Sequence, residues 1–281
     1  MKSEKFASAV CFLPFFLYFC TENLKNMHKR PILFALLGTL LLLSCKSHYQ
    51  LTGIDRTRIV IDSRYDQHHD EAAAKFLAPY KHQVDSVMGP VMGTVARNMN
   101  ADRPESELSN LLSDILVWAG PEYGEKPVLG VYNMGGIRAA LSKGKVTYGD
   151  VLDVAPFENK IAFTTLSGET LLKLFRQIAS RGGEGVSHGC ELVISKKGQL
   201  LSARLHGQEI NPAAEYRVAT IDYLLGGNDG MDALNEGHNV NSPQEKRNNT
   251  RFIIMNYFKE KAAQNQVVDA KIEGRIKVIS N

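Results

Sequence analysis

Asn133-Met-Gly-Gly-Ile-Arg138, Ala155-Pro-Phe157-Glu-Asn159 and Gly226-Gly-Asn-Asp229-Gly230 each set a backbone-permissive glycine or proline beside a side chain able to hold a flat, charged small molecule. Gly135 and Gly136 let the chain come close to a ligand and adopt positive φ where a turn needs it. Arg138, just beyond them, carries a planar fork of N–H donors suited to phosphate or carboxylate. Phe157, and Tyr223 four residues before Gly227, offer aromatic faces on which a base stacks. Together the strings point to a nucleotide site. Taken singly, each has an ordinary explanation: a strand-to-helix turn with a surface arginine, a core phenylalanine, a capping aspartate in a tight turn.

The surrounding pattern supplies elements to position them. Arg58–Asp62 reads as a short strand, and Asp70–Val87 as a helix. Ser106 or Glu105 starts a second helix whose Leu108, Leu111, Leu112, Ile115 and Leu116 recur at helical spacing, so one side should be buried. Val128–Tyr132 is a strand feeding the Asn133 turn. Lys145 to Val154 reads as a turn and short helix, Ile161–Leu166 as a strand, and Ser167 opens a helix. Extended segments follow Gly182-Gly-Glu-Gly, with turns at Lys197-Gly198 and Gly207-Gln208. Tyr216–Ile221 enters the second glycine-rich turn as a strand. Thr250–Ala263 is the last helix and Arg275–Ile279 the last strand. Strands and helices mix without strict βαβ alternation, which predicts an α+β domain of mixed sheets with flanking helices.

Composition is that of an ordinary globular protein, at 44% hydrophobic and 22% charged residues. A net charge of +3 without a Lys/Arg stripe interleaved with aromatics argues against a nucleic-acid polymer as partner. Near the N-terminus, Lys29-Arg30 precedes an apolar run that ends Leu42-Leu-Ser-Cys45, a signal-peptide pattern with a bacterial lipobox in which Cys45 is the lipidated residue. The competing reading is an uncleaved anchor, for which the apolar run is short. Met27 stands just before this signal, so residues 1–26 read as a start codon called too early, or else as a first hydrophobic segment. The expected organisation is a leader over 1–45, a tether over 46–57 and one domain over 58–281, exported and lipid-anchored in the envelope. Lys46 after Cys45 favours the outer membrane by analogy. Cys11 and Cys20 lie upstream of the cleavage point, leaving Cys190 in a strand-like segment as a buried structural thiol.

The order and spacing of these strings resemble the C-terminal domain of the 5′-nucleotidase family, from about Ile59 to the end and including Thr250–Lys259 and Glu273-Gly-Arg-Ile276. The resemblance implies that this domain binds substrate while a separate N-terminal domain holds two metal ions. It implies that Arg138 takes the phosphate and Asn133 reaches the substrate. It also implies that Phe157 and Tyr223 clamp the base and Asp229 bonds the ribose hydroxyls. Tyr223 replaces the more usual phenylalanine, and Asn228 a frequent glycine. Asn159 matches an asparagine found in part of the family, and Gly189 is a further candidate for close backbone approach to the base. Relatives carry arginines shortly before the helix containing Asn110, completing a cationic cradle. Here Glu105 stands near that position, and Arg103 fits only with a two-residue shift.

Hydrolysis in such a family needs metals to orient water and stabilise the reacting oxygens. Asp66-Gln-His68 and Gly149-Asp-Val-Leu-Asp153 match two of the usual ligand strings, but in the wrong order, and the Asn-His-Glu and Gly-His-x-His strings do not occur. His68-His69 reads as a solvated pair at a helix start. No metal ligands or catalytic residues are therefore expected in this chain, and divalent metals are expected on a partner. The resulting expectation is the substrate-recognition half of a split 5′-nucleotidase, hydrolytic only with a separate metallophosphoesterase chain. The alternative is a non-catalytic nucleoside- or nucleotide-binding lipoprotein. An independent phosphatase using other residues is the third reading.

Overall fold

The computed structural model describes residues 51, 53–65 and 70–280. Cys45, the leader, half of the tether and the His68-His69 pair lie outside the described residues, as does Asp66-Gln-His68. The chain divides into two units, Met1–His68 and His69–Asn281.

In the first unit, Arg58–Asp62 is not a strand. It is irregular backbone, with Ile59 and Ile61 exposed. Its three consecutive β-branched residues, Ile59, Val60 and Ile61, meet the local requirement for a strand, yet no neighbour among the described residues pairs its N–H and C=O groups, and an unpaired strand has little to hold it.

The second unit begins with α1 (Glu71–Met88), whose N-cap Asp70 accepts from the Ala73 amide. Next come β1 (Val91–Val95), α2 (Glu107–Ala119), β2 (Leu129–Tyr132), β3 (Gly144–Thr147) and α3 (Tyr148–Val154). β4 (Ile161–Ser167) leads into α4 (Gly168–Ser180), followed by β5 (Gly185–Val186), β6 (Cys190–Ser195), β7 (Leu200–Leu205) and β8 (Gln208–Glu209). β9 (Glu215–Ile221), α5 (Asp222–Leu225), β10 (His238–Asn241), α6 (Thr250–Ala263) and β11 (Ile276–Ile279) complete it. The strands form three sheets, ordered β1-β3, β10-β4-β9-β2-β5 and β11-β6-β7-β8. The architecture is α+β, with mixed sheets and helices against them.

α2 shows how sequence dictates this packing. Ser106 is its N-cap, in a reciprocal box with Ser109, so orphan amides of the first turn are satisfied. The helix packs on β2 and β5, with Ser113 against Gly130 and Gly185. Burial goes further than the expected single side, because Ser109, Asn110 and Ser113 are also enclosed. Asn110 donates to Lys271 carbonyl at 2.9 Å, so the C-terminal segment covers Asn110. Phe163, Phe175 and Phe258 are fully buried in the core. Cys190 is a buried free thiol whose pKa burial pushes up.

Two acidic residues have structural roles that explain their spacing. Asp150, in the Gly149–Asp153 string, closes a capping box with Thr147 at the start of α3, accepting from the Thr147 amide at 2.7 Å. Glu105, where an arginine was expected, is buried. It accepts from Asn110 Nδ2 and the Glu273 amide, both at 2.7 Å, and so ties the closing turn to α2.

Glu125 and Arg217 hold the loop before β2 to the central sheet through two parallel hydrogen bonds of 2.7 Å. Those bonds hold the Glu125 carboxyl below the usual carboxylate range. A depressed folded-state pKa contributes stability that is complete above the unfolded value of about 4.3 and lost as pH falls through the folded value. Glu125→Gln should therefore lower the thermal midpoint at pH 7, and its gap from the unmodified protein should close progressively below about pH 4. Thermal unfolding across that range checks this.

Candidate functional site

One edge of the central sheet collects four chain segments, and strand direction explains why. β2 and β9 run parallel, paired at Leu129 with Val218 and Gly130 with Ala219, so the residues after both strands emerge together. β4 runs antiparallel to β9 with Ile161 opposite Ile221, which brings the loop before β4 to the same edge. β5 runs antiparallel to β2 with Gly185 opposite Tyr132, adding the segment before β5. Asn133, Tyr223 to Asp229, Phe157 and Glu184 thus arrive at one place from four parts of the sequence.

After β2 the chain makes one 3₁₀ turn, Met134–Gly136. Asn133 is buried, and its Nδ2 donates to Asp229 Oδ2 at 2.6 Å. Its Oδ1 is buried with no hydrogen-bond partner among the described residues. A Cβ on Gly136 would sit 2.6 Å from that Oδ1, so only glycine leaves the Asn133 amide in place. Ile137 is buried and anchors the turn, while Arg138 points outward. The Arg138 amide donates to the Val154 carbonyl at 3.0 Å, which couples the turn to the end of α3 and the Pro156-Phe157 loop. Arg138 Nη1 donates to Gly135 carbonyl at 3.3 Å, and its guanidinium lies 5.8 Å from the Phe157 ring centroid. That placement is within the range of a cation–π attraction.

Phe157 is 46% exposed and Tyr223 39%, which excludes the core-packing explanation for both rings. Tyr223 lies in α5, directly after β9. Its hydroxyl donates to Asp229 Oδ1 at 3.3 Å. Partial desolvation, followed by the adjacent Asp229 charge, holds that hydroxyl's pKa up and keeps it a donor. Asp229 adopts φ 55° and ψ 26°, a left-handed conformation more open to aspartate than to most residues. The departure at Asn228 leaves this turn closed, because Asn228 Nδ2 donates to Tyr223 carbonyl at 2.7 Å.

A second cationic group lies beside this chain of contacts. Glu184, in the loop between α4 and β5, is fully buried. Its carboxylate accepts from Arg103 Nη2, from Arg181 Nε at 2.6 Å, and from the Met134 amide at 2.5 Å. Arg181 Nη2 is 4.0 Å from Asp229 Oδ1. Arg103 therefore joins the Glu184 cluster, whereas Glu105 ties the closing turn to α2. Arg181 and Glu184 were not anticipated from the sequence. The available signal was Gly182-Gly183 followed by a charge, a pattern like Gly135-Gly136 before Arg138.

Two candidates stand apart from the polar chain. Gly189 has φ +85°, but the space beside its Cα is filled by the His206 ring, 2.3 Å from where a Cβ would lie. Asn159 shares the Phe157 loop, and its carbonyl accepts from the Thr250 amide at 2.8 Å, fastening the loop to α6.

This edge joins two exposed rings, arginines from three segments and a carboxylate hydrogen-bonded to an amide, the equipment of a small-molecule recognition domain. The chain belongs to the family described as 5′-nucleotidase, C-terminal domain, whose family model matches residues 87–236, just over half of it. Silent protein UshA(0) of Salmonella typhimurium is 25% identical over 69% of this chain and 34% of its own length. A 5′-nucleotidase of Vibrio vulnificus is 24% identical over 75% of this chain and 37% of its own. The crystal structure of a 5′-nucleotidase precursor from Thermus thermophilus superposes with a TM-score of 0.64 at 26% identity, covering 75% of this chain and 43% of that one. The chain thus spans about a third of the length of these curated relatives. Among the described residues, no group of three or more His, Cys, Asp or Glu is arranged to hold a metal ion.

Proposed function

We propose that this chain is the nucleotide-binding, substrate-recognition half of a 5′-nucleotidase acting in nucleotide catabolism, and that a separate metallophosphoesterase chain carries the divalent metals and hydrolyses the phosphate. The observation carrying this reading is the convergence of Phe157, Tyr223, Arg138 and the Asn133–Asp229 pair at one sheet edge. A base stacks between the two exposed rings, with each stacking contact contributing roughly 1–3 kcal/mol whatever the base. Asp229 accepts from ribose hydroxyls. The buried Oδ1 of Asn133, costly while unpaired, takes a donor from the ligand. Arg138 pairs with phosphate through its planar fork. Holding the phosphoryl group in place removes part of the entropic cost of hydrolysis without chemistry from this chain. In this reading Cys45 carries the lipid that anchors the protein in the bacterial envelope, at the outer membrane.

Arg138→Ala should weaken AMP binding by about tenfold to a hundredfold, the worth of a hydrogen bond to a charged group, and leave adenosine binding nearly unchanged. Titration calorimetry with both ligands reads this. The split assembly is tested by isolating the protein with its native partners from envelope membranes and assaying the eluate for metal-dependent phosphate release from AMP. Activity accompanied by a second chain, and lost with Arg138→Ala as bait, supports the assembly. An inactive eluate containing this chain alone overturns it in favour of a binding lipoprotein.

A further inference from the structure

We propose that Arg181 is a second anion-binding residue of the nucleotide site, and that buried Glu184 is the positioning residue that aims it together with Arg103. This rests on the nucleotide-binding reading above and adds a second phosphate contact to that of Arg138. Arg181 follows α4, so it comes from a different element than the arginine position before α2.

The geometry argues for a ligand arm rather than an ordinary surface ion pair. Glu184 has no exposed side-chain surface, whereas Arg103 and Arg181 keep 38% and 31% of theirs. A buried carboxylate is tolerated only when paired and hydrogen-bonded, and Glu184 is saturated by two guanidinium groups and the Met134 amide. Arg103 and Arg181 balance Glu184 and Asp229 in charge, so what the unit offers an anion is the free Nη donors of Arg181 rather than a net positive charge. Arg181 spends its Nε on Glu184, and its Nη groups make no hydrogen bond among the described residues. One of them lies 4.0 Å from Asp229, too far to bond but directed at the carboxylate that meets the ribose. Arg103 is held from the other side, its Nε donating to the Gly183 carbonyl at 2.8 Å. That approach depends on Gly183, at φ +113°, where a Cβ would lie 2.3 Å from the Pro104 carbonyl oxygen.

Glu184 also links the arm to the turn carrying Asn133 and Arg138, because the Met134 amide is its third donor. One carboxylate thereby fixes the arm relative to the other phosphate ligand. The group recognised is the dianionic phosphate of a nucleotide, so the arm should act on nucleotides and not on nucleosides.

The test is calorimetric titration of the full chain with AMP and, separately, adenosine, with thermal midpoints for every variant. Arg181→Ala should weaken AMP binding by about tenfold to a hundredfold with adenosine affinity held, while the thermal midpoint falls because buried Glu184 loses one of its two guanidinium partners. Glu184→Gln should narrow the AMP-to-adenosine preference in the same direction. Should that variant fail to fold, Arg181→Lys serves instead: it keeps the charge but not the fork that reaches Glu184 and ligand together, and should also narrow the preference. An unchanged AMP-to-adenosine ratio in Arg181→Ala overturns the proposal, and so does an equal loss for both ligands. If the unmodified protein binds neither ligand, the nucleotide reading itself fails. If it prefers AMP and Arg181→Ala keeps that preference, only the present inference fails.

Discussion

The Phe157→Ala, Tyr223→Ala double variant is expected to lose about 2–6 kcal/mol of nucleoside binding, the combined worth of two stacked faces. Both rings are substantially exposed, so truncation removes little native packing, and the fold should change by no more than about 0.5 kcal/mol. The two positions are not equivalent. Tyr223 also donates to Asp229, so removing it frees the carboxylate as well as the aromatic face. Tyr223→Phe separates these effects, because it keeps the face and loses only the hydroxyl. Adenosine titration against each single variant, the double variant and Tyr223→Phe measures both contributions. Unchanged affinity in the double variant would mean that the rings do not clamp a base.

Arg275→Ala is expected to be the most damaging change to stability, by about 3–5 kcal/mol, because it strands carboxylates around an emptied buried site. Only 4% of the Arg275 side chain is exposed. Its fork spans Asp114, with Nη1 to Oδ1 at 2.9 Å and Nη2 to Oδ2 at 2.8 Å, and its Nε donates to Glu273 at 2.9 Å. Nη1 also donates to the Val186 carbonyl at 2.8 Å, so one side chain joins the closing segment, α2 and the end of β5. Asp114 and Glu273 remain partly in water, which favours the lower part of the range. In a domain of this size each kcal/mol moves the thermal midpoint by roughly 2–4 °C. Arg275→Lys should recover little, since an ammonium cannot span Asp114. A midpoint within about a degree of the unmodified protein would show that the network is dispensable.

The helices were the most legible part of the fold. α2 announces itself through Ser106 and its leucine spacing, and α6 spans the expected Thr250–Ala263. Strands that borrow their regularity from neighbours were not legible. β10 reads His-Asn-Val-Asn, with one apolar residue and no alternation, and it is a strand because β4 offers an edge. β3 read as a turn and β1 was not anticipated; each pairs with the other across a long stretch of chain, Val91 with Thr147, and neither is marked locally. The Arg58–Asp62 segment fails for the converse reason, having strand-like residues without a pairing edge.

At the site, glycine-rich strings were visible because they are contiguous in sequence. Arg181 and Glu184 were not: they stand three residues apart in one loop, but their meeting with Arg103, Met134 and Asp229 depends on sheet topology that spacing does not encode. Hydrogen-bond partners are what separate Glu184 from Glu105: two buried carboxylates, one aiming arginines and the other tying down a turn.

The most direct test of the account is titration of AMP into the full chain with excess chelator present. Saturable binding that survives chelation and is weaker for adenosine is the predicted result. It would assign nucleotide recognition to this chain's own side chains, with no metal required for binding. Absence of AMP binding, or binding that disappears on chelation, would contradict it.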